Sequence, residues 1–457
     1  MEALSFSILA LLAVWVVFAS RLMAALGMVA GVLFLTQGHS IDIAGSNLFP
    51  ARILTYVCFL RVMFRGEFST RALTRMDWAM VVLFSYATLM QALRGDGSVA
   101  GLAARLMDAM FGYFAFRGLL REPDELRWFL HRLLLLLGPY LLLLCVESFT
   151  HNNLFSIVGG TSEVTLRDGH PRCYGSFRHP SLMGSLGAVF LPLFAALLWN
   201  PAWRRHGVTG LFLCLGIVGF SNSGSPVSAV LIGIIGWAMW PMRRNMRAFR
   251  WGFAGFVVLM DFLMKAPVYY LLAKFSAITG GSGWHRSYLI DVSLRHISQW
   301  WLTGMSLEDT KHWFAYMLEA TGGADITNQY IAFGLAGGVL AIGLFIYLLY
   351  CAYSMLGRAM LVAQTEDSPD QFEERLVWGL GVALTVHAFN WMAITYFDQF
   401  QLIWLFQAAV ICSVSEHWLL RWRQVTAEDA APAGFGMAGE IPVGEREMGY
   451  ASGIADR

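Results

Sequence analysis

Charge is what this sequence has least of: only 14% of its 457 residues are Asp, Glu, Lys or Arg, against about a quarter in a soluble globular chain. That excludes an ordinary soluble domain. The net charge is +1, so there is no basic excess to neutralise a polyphosphate backbone, and no nucleic acid is expected as partner. Cysteine is scarce as well, with six residues. Cys58, Cys145, Cys214, Cys351 and Cys412 fall inside apolar runs and only Cys173 in a loop, which gives neither a disulfide framework nor a metal-ligand spacing. They read as small apolar side chains of helices. No P-loop and no Ser-His-Asp arrangement can be traced, and neither metal nor cofactor is expected. The first residues lack the basic stretch of a cleaved signal peptide, and the apolar run continues past Ser20 and Arg21, so they read as membrane anchor. No inverted internal repeat of the transporter kind is visible.

What fills the chain instead is apolar surface: 57% hydrophobic residues, with 33 Phe and 17 Trp. A spanning helix needs about 20 apolar residues. Candidate spans are 4–20, 22–37, 48–64, 78–93, 99–118, 126–148, 180–199, 208–221, 225–241, 250–266, 328–356, 375–396 and 399–419. The first two are short and close together, so 12 or 13 spans are expected. Arginines cluster after the third span (Arg61, Arg65, Arg71, Arg75), between the fifth and sixth (Arg117, Arg121, Arg127, Arg132), at two later turns (Arg204, Arg205; Arg243, Arg244, Arg247, Arg250) and after the last span (Arg421, Arg423). Alternate threading puts all of them on one side, which the positive-inside rule makes cytoplasmic. Segments 149–179 and 267–327 then become large extracytoplasmic loops. The expectation is an all-α polytopic membrane domain over 1–425 and a disordered cytoplasmic tail over 426–457.

Three spans begin at the extracytoplasmic side with similar local grammar. One opens at GSFRHPS (175–181), with Pro180 at the first helical position and Arg178 and His179 just before it. Another opens at SNSGSP (221–226), with Ser225 as cap and Pro226 opening the helix, and Ser223 beside them. The third opens at DITNQY (325–330), with Thr327 or Asp325 as capping oxygen ahead of Asn328 and Tyr330. Unpaired N–H groups at such starts suit a phosphate or diphosphate, and Arg172, Arg178 and Arg286 lie near them. Residues 284–301 read as an amphipathic helix whose apolar stripe is Ile290, Leu294, Ile297 and Trp301. Arg286 extends that stripe inward next to His285, either as a salt-bridged or snorkelling side chain or as a clamp for an anion. Asp291 and Arg295 form an exposed i,i+4 pair. Arg105–Asp108 and Asp261–Lys265 read as pairs within single helices, Arg52 as an interfacial snorkelling residue, and His387, Asn390 and Asp398 as helix–helix hydrogen-bonding groups or pocket lining. Glu308, Lys311 and His312 stay undecided between base and solvated charge.

The order GSFRHPSLMG, SNSGSP, GWHRSYLID and DITNQYIAFGLAGGVLAIGLFIYLL resembles the O-antigen ligase and O-antigen polymerase superfamily of bacterial inner-membrane proteins, over about residues 45–420. The resemblance implies a C-type glycosyltransferase-like fold. It implies a membrane glycosyltransferase that takes an undecaprenyl-diphosphate-linked glycan at the outer face of the inner membrane and transfers it to an acceptor glycan or glycolipid. Membrane lipids and polysaccharide assembly proteins would be its partners. Arg286 matches the family's loop arginine and Asn328 its asparagine. Thr327 stands where the ligases carry histidine, and SNSGSP has no arginine where they have one. Arg286 would then stabilise the leaving diphosphate and Asp325 accept the acceptor proton, although the helix start beside Asp325 is expected to lower its pKa. Arg172, Arg178, His179, His285, Ser223, Ser225, Thr327, Asn328 and Tyr330 would bind substrate. A lipid-linked sugar or polysaccharide transporter, or a non-catalytic scaffold of an assembly complex, remain the competing readings.

Overall fold

The computed structural model describes residues 2–43, 46–68, 73–274, 283–317, 325–365 and 371–430. Each apolar run becomes a helix, since a chain in lipid must satisfy its backbone polar groups within itself. These are α1 (Glu2–Phe18), α2 (Arg21–Phe34), α3 (Pro50–Phe64), α4 (Arg75–Arg94), α5 (Val99–Leu119), α6 (Pro123–Thr150), α7 (Pro180–Ala196), α8 (Arg204–Phe220), α9 (Gly224–Ala238) and α10 (Met246–Leu263). Two helices of the large loop follow, α11 (Gly283–Arg295) and α12 (Ile297–Trp300), then α13 (Gln329–Ala363), α14 (Phe372–Asn390) and α15 (Phe400–Ala430). Beside short 3-10 helices such as Leu154–Val158 and Glu308–Met317 there are two antiparallel hairpins: β1 (Ile41–Ile43) with β2 (Ser46–Leu48), and β3 (Thr165–Arg167) with β4 (His170–Arg172).

Among the described residues, six helices are long and apolar enough to cross a membrane: α4, α5, α6, α7 with its extension to Trp199, α13, and α15 to Gln424. A seventh arises if Ala248–Leu263 and Val268–Lys274, bent by 98°, count as one span. Helices α1, α2 and α9 are apolar but shorter. The chain is therefore an all-α, multi-pass membrane protein. Its packing gives one compact unit over Met1–Leu419, and the end of α15 from Leu420 on falls outside it. Thr426–Ala430, expected as tail, is the end of α15. Residues 431–457 of the expected tail lie outside the described residues, as do 275–282 and 318–324 of the large loop.

Helix α7 is the axis of the compact unit. All of its residues are buried, and it packs on α8, α9 and α14. Small residues make that possible, as in other membrane helix pairs. A Cβ on Gly187 would stand 2.3 Å from the Cys214 carbonyl oxygen, so α7 and α8 touch backbone to backbone. Buried polar side chains bind across the bundle instead of standing alone. Asn390 Nδ2 donates to Ser185 Oγ (2.8 Å), and the His387 ring bonds the Tyr396 hydroxyl and Gln407 Oε1, each at 2.9 Å. The helix–helix role expected of His387 and Asn390 is what the structure contains. Two other pairings differ from expectation. Asp108 is held by Arg52 of a neighbouring helix (2.6 Å), while Arg105 donates to Gln91. Asp261 accepts from the Val268 N–H. Asp291–Arg295 does pair, at 2.6 Å.

Helix α13 is broken in its first half. Gly337 and Gly338 leave helical geometry, Gly338 at φ 71°, ψ −170°. The groups freed there are taken up by the large loop and α4. Met305 N–H donates to Leu335 O (2.9 Å) and Val339 N–H to Trp301 O (2.8 Å). Arg94 caps the carbonyls of Leu335 (3.2 Å) and Ala336 (3.1 Å). The short leading half, Gln329–Ala336, is thus fixed from both sides.

Candidate functional site

A cavity of about 250 Å³ opens where three helix starts meet the two large loops. Hairpin β3–β4 supplies Arg167 and Arg172, the α7 start His179 and Ser181, and the α9 start Gly224 and Ser225. Arg286 comes from α11, Asp325 and Thr327 from the approach to α13, and Ala393 and Ile394 from the turn after α14. Six of the residues singled out from sequence therefore line one space: Arg172, His179, Ser225, Arg286, Asp325 and Thr327.

The turn SNSGSP organises it. Ser223 Oγ accepts from Arg172 Nη2 (2.8 Å), and Ser225 Oγ accepts from Arg286 Nη2 (2.6 Å). Arg286 Nε donates to Ala393 O (3.0 Å). Asn222 Nδ2 reaches the carbonyls of Arg167 (3.2 Å) and His170 (3.4 Å), on either side of the Asp168-Gly169 hairpin turn. A turn that lacks an arginine thus fixes three from elsewhere in the chain. Glu147 fixes the approach to α7: its carboxylate accepts from Tyr174 N–H (2.6 Å) and Gly175 N–H (2.9 Å).

The helix starts differ from expectation. Helix α9 begins at Gly224, so Ser225 and Pro226 lie within its first turn, and Ser223 at the cap position makes no side-chain cap bond. Ser225 is thereby left to hold Arg286. At α13 the cap is Asn328, whose Oδ1 accepts from Tyr330 N–H (3.0 Å) and Ile331 N–H (3.1 Å). It is neither Thr327 nor Asp325. At α7 the cap is the His179 ring, Nδ1 accepting from Ser181 N–H (3.1 Å). First-turn donors of α7 and α13 are therefore partly used internally, which leaves the arginines and the α9 start as the main groups that could face an anion.

Five of the expected substrate-binding residues lie outside the cavity lining, among them Asn328, which caps α13. Arg178 points away from the cavity: it donates to Gln37 O (3.0 Å), faces Asp398 (3.4 Å) and stays half exposed, at 51% of its side-chain surface. Ser223 acts through Arg172. Tyr330 donates its hydroxyl to Ala388 O (2.9 Å) and packs on Phe345. His285 stands beside the mouth, with Nε2 3.5 Å from Asp325 O and its ring against Phe314. Arg286 does turn inward, but the expected stripe does not go with it. Leu294, Ile297 and Trp301 are exposed, whereas Leu289, Val292 and Trp300 are buried. Arg167 is the cavity residue that the sequence reading omitted; the Asp168-Gly169 pair, with φ 52° and 78°, was the hairpin signal that would have found it.

The electrostatics favour an anion. Burial and the Arg167 charge lower the Arg286 pKa to about 10, with Asp325 opposing, so Arg286 stays charged at neutral pH. Burial and then Arg167 also lower that of Arg172. His179 falls to about 4, through burial and then Arg172 and Arg286, which keeps its ring neutral and able to cap α7. Asp325 reaches solvent at the mouth, yet the protein packed around it partly desolvates its carboxyl and raises it above the usual range, with His285 and Arg286 pulling the other way. This reverses the lowering expected from a helix start. Arg172 Nε and Thr327 Oγ1 are buried and lack hydrogen-bond partners among the described residues. Buried polar groups are normally satisfied, so these are places for a ligand's oxygens. A larger and more open cleft, about 770 Å³, is lined by Arg94, Asp96, Glu308, Lys311 and His312 among others. Its charges are mostly paired with each other, Arg94 with Asp96 (2.6 Å) and Lys311 with Glu308. The smaller cavity is therefore the one with unpaired buried polar atoms among the described residues. Comparison with family models and with curated proteins finds no match to this chain.

Proposed function

We propose that this protein transfers or polymerises undecaprenyl-diphosphate-linked glycans onto an acceptor glycan or glycolipid, at the outer face of a bacterial inner membrane. In this reading shorter helices cross beside the six long ones, giving 12 or 13 crossings in a C-type glycosyltransferase-like arrangement, with the C-terminus cytoplasmic and the cavity facing the periplasm. One observation carries it: three arginines from two separate loops converge with an uncapped helix start on one small cavity that holds a single carboxylate. With His179 neutral, the excess positive charge suits a dianionic diphosphate.

The chemistry asked of the chain is modest, because a lipid diphosphate is already a good leaving group. The acceptor hydroxyl oxygen attacks the anomeric carbon, and the bond from that carbon to the diphosphate oxygen breaks. Its electron pair stays on the diphosphate, where Arg286 and Arg172 stabilise it. The hydroxyl proton passes to Asp325, whose raised pKa makes it a better base than an ordinary carboxylate. Thr327 Oγ1 is placed to orient the acceptor.

The test is transfer by the purified protein in proteoliposomes with a polyprenyl-diphosphate oligosaccharide, following elongation or release of the free lipid diphosphate across pH. Activity should rise as pH increases through the Asp325 pKa, at a midpoint above the ordinary carboxylate value of about 3.9. Asp325→Asn should lose most turnover together with that acidic limb. Full activity in Asp325→Asn removes it as the base, and absence of transfer with any such donor removes the reading. The broken α13 supports a lipid-linked sugar transporter as second reading, since discontinuous helices are common there. Against it, the groups freed at the break are bound by protein and do not face the cavity.

A further inference from the structure

We propose that Arg167, held in place by Asn222, reads the second phosphate of a diphosphate in this cavity and so discriminates diphosphate from monophosphate. The proposal rests on the anion-site reading above and adds a specificity residue and its positioning partner.

Arg172 and Arg286 are tied to Ser223 and Ser225, two positions apart on one turn. Together they form a fixed anchor. Arg167 arrives differently. In the hairpin register Thr165 faces Arg172 and Arg167 faces His170, so Arg167 and Arg172 share a hairpin face as diagonal neighbours, roughly 7–8 Å apart along the backbone. The sole ion-pair partner of Arg167 among the described residues is the neighbouring Asp168, at 3.9 Å, and that carboxylate is 92% exposed. Its guanidinium is therefore available to a ligand. Its charge also opposes protonation of both Arg172 and Arg286, which places three mutually repelling cations around one space. A single phosphate bound at the anchor relieves part of that repulsion, and a second phosphate beside it relieves the contribution of Arg167.

Asn222 sets the hairpin. Its side-chain amide donates to the carbonyls on both sides of the turn, and its backbone sits at φ 40°, the left-handed region. Asparagine tolerates that region better than most residues, though at some cost. The amide therefore fixes where Arg167 stands without touching the ligand.

The full-length protein in detergent micelles is titrated with inorganic pyrophosphate and with inorganic phosphate. Wild-type protein should prefer pyrophosphate. Arg167→Ala should weaken pyrophosphate about tenfold, the scale of one charge-assisted hydrogen bond, and phosphate less than about twofold. Asn222→Gly keeps the left-handed backbone and removes the amide. It should reproduce the Arg167→Ala pattern, and adding it to Arg167→Ala should cost nothing further. Arg286→Ala, which strikes the shared anchor, should weaken both probes. The specificity proposal is overturned if Arg167→Ala weakens both probes equally or neither, or if the two substitutions are additive. If Arg286→Ala binds pyrophosphate as wild type does, the anion-site reading itself fails, and the proposal with it.

Discussion

Arg286→Ala should lower the transfer rate by at least about 100-fold, the usual cost of removing one preorganised donor from a developing negative charge. The side chain is fixed at both ends of its fork, by the Ala393 carbonyl and the Ser225 hydroxyl, so little rearrangement is needed when charge moves to the leaving group. Arg286→Lys keeps the charge but not the planar fork, and should recover only part of the rate. Arg178→Ala is the control. Arg178 is held by Gln37 and Asp398 outside the cavity, and its loss should leave turnover nearly unchanged. Initial rates in proteoliposomes at matched protein amounts separate the three. Equal losses for Arg286→Ala and Arg178→Ala would assign the effect to bundle integrity.

Gly338→Ala should be strongly destabilising for so small a change, a single methyl group. At φ 71°, ψ −170° the residue occupies a region that only glycine populates freely, and an added Cβ would meet the Leu302 carbonyl oxygen at 2.4 Å. Relief requires moving the loop segment that satisfies the break. About 1–3 kcal/mol of backbone strain adds to about 1 kcal/mol for each hydrogen bond lost there, a combined loss of about 3 kcal/mol or more. Thermal unfolding of the purified protein should show it, and cavity function should fall too, because the displaced half-helix begins at Asn328 beside Thr327. Gly337→Ala offers a graded comparison. At φ −155°, ψ 29° it lies outside the left-handed region, and its Cβ would press on side chains and not on backbone, the Tyr86 ring at 3.0 Å and the Ala341 Cβ at 3.1 Å. Its destabilisation should be clearly smaller.

The helices were legible because lipid leaves the chain so few alternatives: every apolar run in the sequence became helical, usually with ends close to those expected. The break in α13 was not legible. Its run AFGLAGGVLAIG is uniformly apolar, and the signals for the break lie far away in sequence, at Arg94 and Trp301–Met305. The stripe Ile290–Leu294–Ile297–Trp301 failed for a local reason. Leu294 already faces outward within α11, whose buried residues include Leu289, Val292 and Ser293, and the helix stops at Arg295 and restarts at Ile297, so a single 3.6-residue period does not carry across His296. Arg286 was correctly placed inward, on a row it shares with Leu289 and Ser293, both buried. Arg178 misled because its closeness to the α7 start in sequence says nothing of the direction of its side chain. Arg167 is farther away in sequence and is brought in by a hairpin. Asp108 illustrates the same limit, since its nearest basic residue in sequence loses to Arg52 of another helix.

The central claim is that the cavity opens to the outer face and takes a lipid-diphosphate glycan. Of the native cysteines, five are buried and Cys145 is half-buried, so a thiol placed at Asp325, which is exposed at the cavity mouth, can be labelled against a low background. Asp325→Cys is to be treated with a membrane-impermeant maleimide in right-side-out and inside-out vesicles, with and without a polyprenyl-diphosphate oligosaccharide. The account predicts labelling from the outer side that the oligosaccharide slows. Labelling from the inner side alone, or at a rate the oligosaccharide leaves unchanged, would contradict it.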